Sequence, residues 1–397
     1  VPPLTEGGIQ DPMTTIYLIR HAEAEGNLYR RIHGQYNSLV TPLGYRQIAA
    51  LEKRFQDIHL DAVYSSDLFR TQTTAKALYL PKGLPLQLEP GLREISMGDW
   101  EDDTWGGAAR KHPEQMAYFS GGNAHYTPMG GESFQELRQR VVSTYYRLAA
   151  ANDGKTIACV SHGEAIRTAV NAFYGRPLEE MHNMIPSDNT AVSCVEIEGE
   201  TAKVLFYGDG SHLTPELSTL GKQTWWRESK EKAAIEDQNI WYRPWEPVEE
   251  RALYESYRRE AWISVHGDEP CPMEQFYQAA KASSEADAKA VMVAMNGEEI
   301  AGLLQMDLER YAEADAGYIP FYYMNQKFRH HGLGIQLIGQ AVATFRPMGR
   351  TKLRLRCSPD NDLAKRFYLR NGFADIGPAT DSAVPLRLME KEIGYPV

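Results

Sequence analysis

Cysteine, basic charge and long apolar runs are all in short supply in this chain, and each shortage closes off a class of function. The four cysteines, Cys159, Cys194, Cys271 and Cys357, lie far apart with no C-x-x-C pair among them. Neither a disulfide framework nor a zinc site is indicated, no metal site is expected, and a reducing cytoplasm suits such usage. The formal net charge is −11 with a pI near 5.6, so no basic excess is available to displace counterions from a nucleic acid. No apolar stretch approaches the roughly 20 residues that a membrane span needs. The opening "VPPLTEGGIQDP" lacks the basic and apolar regions of a signal peptide, and "MTTIYLIRH" after it reads as a natural start, so residues 1–12 are expected to be leader or expression-derived.

With 397 residues the chain is long for one core, and two domains are the expectation. Through residue 208, short β-rich runs ("TIYLIR", "DAVYSS", "PLQLEP", "KTIACVSH", "NTAVSCVEIE", "AKVLFYG") alternate with segments of helical period. Ser133 and Glu136 form a capping box at the start of one helix. This alternation predicts an α/β domain over 13–208, its mostly parallel sheet flanked by helices, with 96–131 as an excursion over one sheet edge. Residues 209–239 are polar and charged, as in a connector. From 240 to 397 the order changes to strand, two helices, a hairpin turning at "NG" (296–297), then strands and helices in alternation: an α+β domain.

Two stretches of the first domain share a pattern. "TIYLIRHAEAEGN" and "KTIACVSHGEAIR" each run from an apolar strand into a histidine. Sites in parallel α/β sheets form where strands end, so His21 and His162 should share one crevice. Arg20 ends the first strand and Arg70 lies on the helix after "AVYSSD". Two guanidiniums and two imidazoles repel one another unless an anion lies between them, and arginine forks match phosphoryl oxygens. The helix starting near Gly163 would add N–H donors and its positive end. The same cations should lower the pKa of His21 and leave a neutral ring nitrogen able to attack phosphorus. An isolated histidine after a strand is ordinarily structural; the combination overturns that reading. His33 follows the nucleophile loop closely enough to border the pocket, and Trp100 and Trp105 serve chiefly to pack the excursion.

"LIRHAEAEGN", "VYSSDLFRTQTTA", "LREISMGDWE" and "VSHGEAIR", in that order, resemble the histidine phosphatase superfamily, with its phosphoglycerate mutase-like fold. The resemblance implies that His21 is the nucleophile forming a phosphohistidine. It makes Arg20, Arg70 and His162 phosphoryl ligands, with Asn27 and Gly163 as further contacts, and Glu94 the acid that protonates the leaving oxygen and later activates water. The usual "RHGET" is here "RHAEA": Ala22 replaces Gly, which a negative φ allows, and Ala24 removes a hydroxyl.

In the second domain, Arg329-His330-His331-Gly332-Leu333-Gly334 lies between a strand and an amphipathic helix, as in phosphate-holding turns, without the dinucleotide-binding spacing. Together with "TKLRLRCSPDNDLAKRFYLRNGF", in which Asn361 and Tyr368 fall on one helical face, it resembles the GNAT acetyltransferases. The resemblance implies acetyl-CoA as co-substrate, its pyrophosphate on the turn and its pantetheine arm along strand 319–324 with Tyr322, Tyr323 and Met324. It makes Asn361 a cofactor contact and Tyr368 the group that protonates the departing thiolate. The side chains of His330 and His331 read as exposed, and no general base is assigned.

The expectation is a cytoplasmic protein with two activities: hydrolysis of a small phosphomonoester through phosphohistidine, and acetyl transfer from acetyl-CoA to a small amine. The alternative is a mutase whose GNAT domain only senses acyl-CoA. Oligomeric state is left open.

Overall fold

The computed structural model describes residues 13–123, 125–222, 238–267, 270–380 and 384–396. The expected leader and the 223–237 part of the connector lie outside the described residues. The described chain forms two compact units; segments 26–31 and 102–111 group with the second.

The first half contributes β1 (Thr14–Arg20), α1 (Glu25–Tyr29), α2 (Pro42–Arg54), β2 (Ala62–Ser65), α3 (Phe69–Tyr79) and β3 (Leu86–Leu88). It continues with α4 (Trp105–Lys111), α5 (Pro113–Ser120), α6 (Phe134–Ala150), β4 (Thr156–Ser161), α7 (Gly163–Phe173), β5 (Val192–Glu198) and β6 (Thr201–Asp209). The sheet order is β3-β2-β4-β1-β5-β6. The β3-β2, β2-β4 and β4-β1 pairs are parallel, and the last two pairs are antiparallel. All six expected strands form, five from β-branched or aromatic runs and β3 from Leu86-Gln87-Leu88. Ile19, Val63 and Val160 on these strands bury against Leu51, Phe55 and Leu78 from α2 and α3. Each such side chain contributes about 1.5–3 kcal/mol when fully buried. The capping box holds α6, with Ser133 accepting from the Glu136 N–H and Glu136 reaching back to the Ser133 N–H.

The excursion holds two short helices, α4 and α5, that the sequence pattern did not announce; they are Gly-rich or open on Pro. Trp100 is buried against His112 and Tyr126, the expected packing role.

The second half contributes β7 (Trp241–Pro244), α8 (Arg251–His266), α9 (Met273–Ala286), β8 (Val291–Asn296), β9 (Glu299–Asp307) and β10 (Ala316–Met324). There follow α10 (Gly334–Phe345), β11 (Lys352–Cys357), α11 (Asp362–Arg370), β12 (Ala374–Pro378) and β13 (Arg387–Glu392). The sheet order is β12-β13-β11-β10-β9-β8-β7, and only β10-β11 is parallel. Asn296-Gly297 makes the expected hairpin turn, with Gly297 at φ +56°. One face of this sheet packs Leu304, Ile319 and Leu355 against Leu337 and Ile338 of α10 and Tyr368 of α11. The other packs Leu303, Phe321 and Tyr323 against Tyr254 of α8 and Tyr277 of α9. The described cysteines are all free, three of them on strands as expected.

Candidate active site

Parallel pairing sets the first site. Arg20 is in register with Ser161, and Ser65 with Val160, so β1, β2 and β4 end at the same edge of the sheet. The next residues, His21, Ser66 and His162, therefore gather there, all nearly or fully buried. The His21 ring lies 5.3 Å from that of His162 and 5.5 Å from that of His33, which meets it edge-on. His21 Nδ1 donates to the Ala22 carbonyl at 2.7 Å. That bond leaves Nε2 as the nitrogen with a free lone pair. The backbone around it is fixed from two sides: the Ala22 N–H donates to Thr74 Oγ1, and Asn189 Nδ2 donates to the His21 carbonyl. Ala22 is not among the residues with positive φ, so it takes the place of Gly without strain.

Burial pushes the pKa of His21 well down, and Arg70, Arg20 and His33 push it further in that order. The expected direction holds, but removal from water contributes more than the cations do. His162 and His33 are held neutral for the same reasons. His162 Nε2 pairs with Ser66 Oγ at 3.0 Å, while its Nδ1 is buried without a partner.

The two arginines are less free than expected. Arg70 is fully buried and its terminal nitrogens donate to the carbonyls of Tyr36, His33 and Gly34. Arg20 donates through Nη1 to the Ser187 carbonyl at 2.6 Å. In both, Nε is buried and unpartnered. The cations are thus clamped by backbone acceptors and keep only part of each fork for a ligand.

The start of α7 corrects one expectation. The Glu164 and Ala165 N–H groups donate to Glu94, at 3.1 and 2.9 Å, and Ile95 N–H adds a third bond. The positive end of this helix holds a carboxylate of the protein, where a phosphoryl group was expected. Burial, then the neighbouring Glu164, raises the pKa of Glu94 despite these bonds and Arg70. Gly163 lies against the Arg20 guanidinium: a Cβ there would come within 3.3 Å of Arg20 Nε. Asn27 is half-buried on α1, in the 26–31 segment that groups with the second unit.

In the second unit, the β10-β11 ladder stops at Ile319↔Leu355, and β10 shifts register against β9 between Tyr318 and Phe321. From Pro320 to Met324 the strand has no β11 partner. His330, His331 and Gly332 are exposed, as expected, with His330 and Gly332 at positive φ. Tyr322 donates through its hydroxyl to the Gly334 carbonyl at 2.7 Å, and Leu333 is buried at the helix start. Arg329 is committed elsewhere, to Glu260 at 2.8 Å and the Met324 carbonyl. Tyr323 donates to the same Glu260. Asn361 caps α11, its side-chain oxygen accepting from the Ala364 N–H. Tyr368 is buried, which pushes its phenol pKa up.

Ser66, Thr74 and Asn189 had no signal in the sequence beyond being small and polar; only the fold places them around His21. Among the described residues no group of histidine, cysteine and carboxylate side chains is arranged to hold a metal ion, and no helix is long and apolar enough to cross a membrane.

His21, its pKa lowered by burial, thus lies with two clamped arginines at the end of a parallel sheet. Residues 16–210 match the histidine phosphatase superfamily (branch 1), and residues 245–373 match the acetyltransferase (GNAT) family. The chain belongs to the histidine phosphatase superfamily and carries a GNAT domain behind that half. It is 31% identical over 212 residues to a metal-independent phosphoserine phosphatase of Arabidopsis thaliana, spanning 52% of this chain and 86% of that protein. It is 31% identical over 165 residues to a probable phosphoglycerate mutase, GpmB, of Salmonella paratyphi A, spanning 42% of this chain and 77% of that protein. The solved structure of Bacillus stearothermophilus YhfR is 32% identical, with a TM-score of 0.49 and coverage of 50% of this chain and 98% of that one.

Proposed function

We propose that the first unit hydrolyses a small phosphomonoester through a phosphohistidine on His21. The observation that carries this is the His21 ring itself: buried, neutral, bonded through Nδ1 to Ala22, and so offering Nε2 beside two arginines whose Nε atoms have no protein partner. In the first step Nε2 attacks phosphorus, the phosphorus–oxygen ester bond breaks, and the leaving oxygen takes the proton of Glu94. In the second, Glu94 as carboxylate takes a proton from water as that water attacks phosphorus. The phosphorus–nitrogen bond breaks and phosphate leaves. Burial of Glu94 supports both roles, because a raised pKa keeps a carboxyl group protonated closer to neutral pH. His162, Arg20 and Arg70 stabilise charge on the phosphoryl oxygens. The similarity to a phosphoserine phosphatase makes phosphorylated amino acids the first substrates to offer. This half of the chain is similar to a phosphatase and to a probable mutase alike, so hydrolysis is chosen over mutase action on the short excursion at 96–131. The test is phosphate release from a panel of phosphorylated metabolites by the intact chain and by His21→Ala. Release abolished by the substitution supports the hydrolase; phosphoryl transfer between hydroxyls with no free phosphate supports the mutase.

The second unit we read as an amine acetyltransferase using acetyl-CoA, which supplies an activated acetyl group. Three features fit that ligand: the exposed turn 329–334 ahead of α10, Tyr322 against Gly334, and the unpaired edge of β10 from Pro320 to Met324, where an extended pantetheine arm can add as a strand. The commitment of Arg329 to Glu260 leaves pyrophosphate binding to backbone N–H groups of the turn. Tyr368 keeps its proton and donates it to the departing sulfur, with Asn361 holding the start of its helix. Cytoplasmic location and action of both units on one pathway belong to the same reading.

A further inference from the structure

α8 places Arg258 beside the break in β10. Its guanidinium lies 4.0 Å from the ring centre of Phe276 and 4.3 Å from that of Phe321. Rings attract a cation but accept no ordinary hydrogen bond from it. Nη1 reaches the Pro320 carbonyl only at 3.5 Å, and Nε is buried with no partner. Tyr254 acts on it through a side-chain hydrogen bond and, with Cys271 and Tyr318, electrostatically, and no carboxylate pairs with it among the described residues. Four other arginines of this unit pair with carboxylates, Arg243 with Glu250, Arg251 with Glu255, Arg329 with Glu260 and Arg387 with Asp375. A guanidinium withdrawn from water without an anion is costly, so a position that keeps one invites a ligand that completes it.

Its place says which ligand. The acetyl-transfer reading, on which this inference rests, puts the pyrophosphate at the turn after β10 and the pantetheine arm back along that strand. The thioester then falls near Ile319 and Pro320, where the β11 ladder ends and Arg258 reaches in. We propose that Arg258 anchors a carboxylate on the acetyl acceptor, making the acceptor class small amino acids and related amino carboxylates. A single planar monocation held against two rings matches one planar carboxylate edge-on.

The test uses the full chain with acetyl-CoA, and amine pairs that differ only at the anionic group: serine against serinamide, glutamate against its amide, with phosphoethanolamine as the phosphate-bearing amine. CoA release reports turnover, and calorimetry reports binding of acetyl-CoA and, in the presence of CoA, of the N-acetylated acids and amides. The proposal expects the acids to be favoured, and Arg258→Met to raise their KM by about 10- to 100-fold while leaving amides and acetyl-CoA affinity unchanged. Arg258→Lys, which keeps the charge and loses the fork, should fall between. Equal use of acids and amides by the unaltered chain overturns it, whatever the variants do. So does a preference that survives in Arg258→Met, a preference for phosphoethanolamine, or failure of both acids and N-acetyl acids to bind when acetyl-CoA does. Failure of acetyl-CoA itself to bind removes the acetyltransferase reading, and this inference with it.

Discussion

Glu94 accepts the Ala165 N–H at 2.9 Å, so the carboxyl group proposed as the acid of the first site is seated on the positive end of α7. That seat ties Glu94 to the helix that His162 opens. A helix end and two further N–H bonds favour the carboxylate, burial and Glu164 oppose it, and burial prevails. The first prediction follows from the opposing directions at Glu94 and His21. Protonation of His21 should limit activity only well below its ordinary pKa of about 6.5, whereas loss of the Glu94 proton sets the alkaline limb. Glu94→Gln should lower kcat by about 10²–10⁴-fold for esters with poor leaving groups, and by much less for aryl phosphates, whose leaving oxygen needs no proton. A pH–rate profile with both substrate types checks this.

Two buried imidazoles and one half-buried one make the first unit acid-sensitive. His21, His33 and His162 all have lowered pKa values in the fold. In the unfolded chain each binds a proton as pH falls through about 6.5, while the folded chain does not. The unfolded state then holds more protons, so stability rises with pH in that window and is lost on acidification. Denaturant midpoints should fall between about pH 7 and about pH 5, and phosphate or vanadate should offset the loss by binding only the folded site.

A clamped cation is not replaceable by a mobile one. Arg70→Lys keeps the charge but has one nitrogen in place of the two that now hold three carbonyls. Expected are a rise in KM for phosphate esters of about tenfold or more and a lower melting temperature, since the loop 33–36 loses its anchor. Steady-state kinetics with thermal melting measures both.

At the second site the close approach of Gly334 to Tyr322 is the feature most easily disturbed. A Cβ at 334 would meet the Tyr322 hydroxyl oxygen at 2.4 Å. Gly334→Ala should displace the tyrosine and distort the turn, weakening acetyl-CoA by about tenfold as read by calorimetry, with phosphatase activity unchanged. Ser133→Ala serves as the contrasting control. It removes the α6 capping box and should cost about 1 kcal/mol of stability, with phosphate release at its original rate at 25 °C.

Much of the architecture could be read from the residues because local pattern and tertiary role coincide. The six strands of the first sheet, the Ser133 cap and the Asn296-Gly297 turn are all determined by neighbours in sequence. Gathering His21 and His162 needed only the rule that parallel strands end together. What stayed hidden depends on distant partners. Which acceptors take the Arg70 guanidinium, and that Glu94 occupies the start of α7, follow from loops folding back over more than thirty residues. Arg258 looked like any helical arginine, because its want of an acidic partner among the described residues is a property of the packed sheet face.

The most direct measurement is chemical trapping of the first step. The chain is mixed with its best phosphomonoester, quenched in alkali within one turnover, and its peptides are mapped by mass spectrometry. The account predicts an acid-labile, alkali-stable phosphate on His21, lost in His21→Ala and accumulating in Glu94→Gln when an aryl phosphate is used. Undiminished phosphate release by His21→Ala, or phosphate trapped on any other residue, would contradict it.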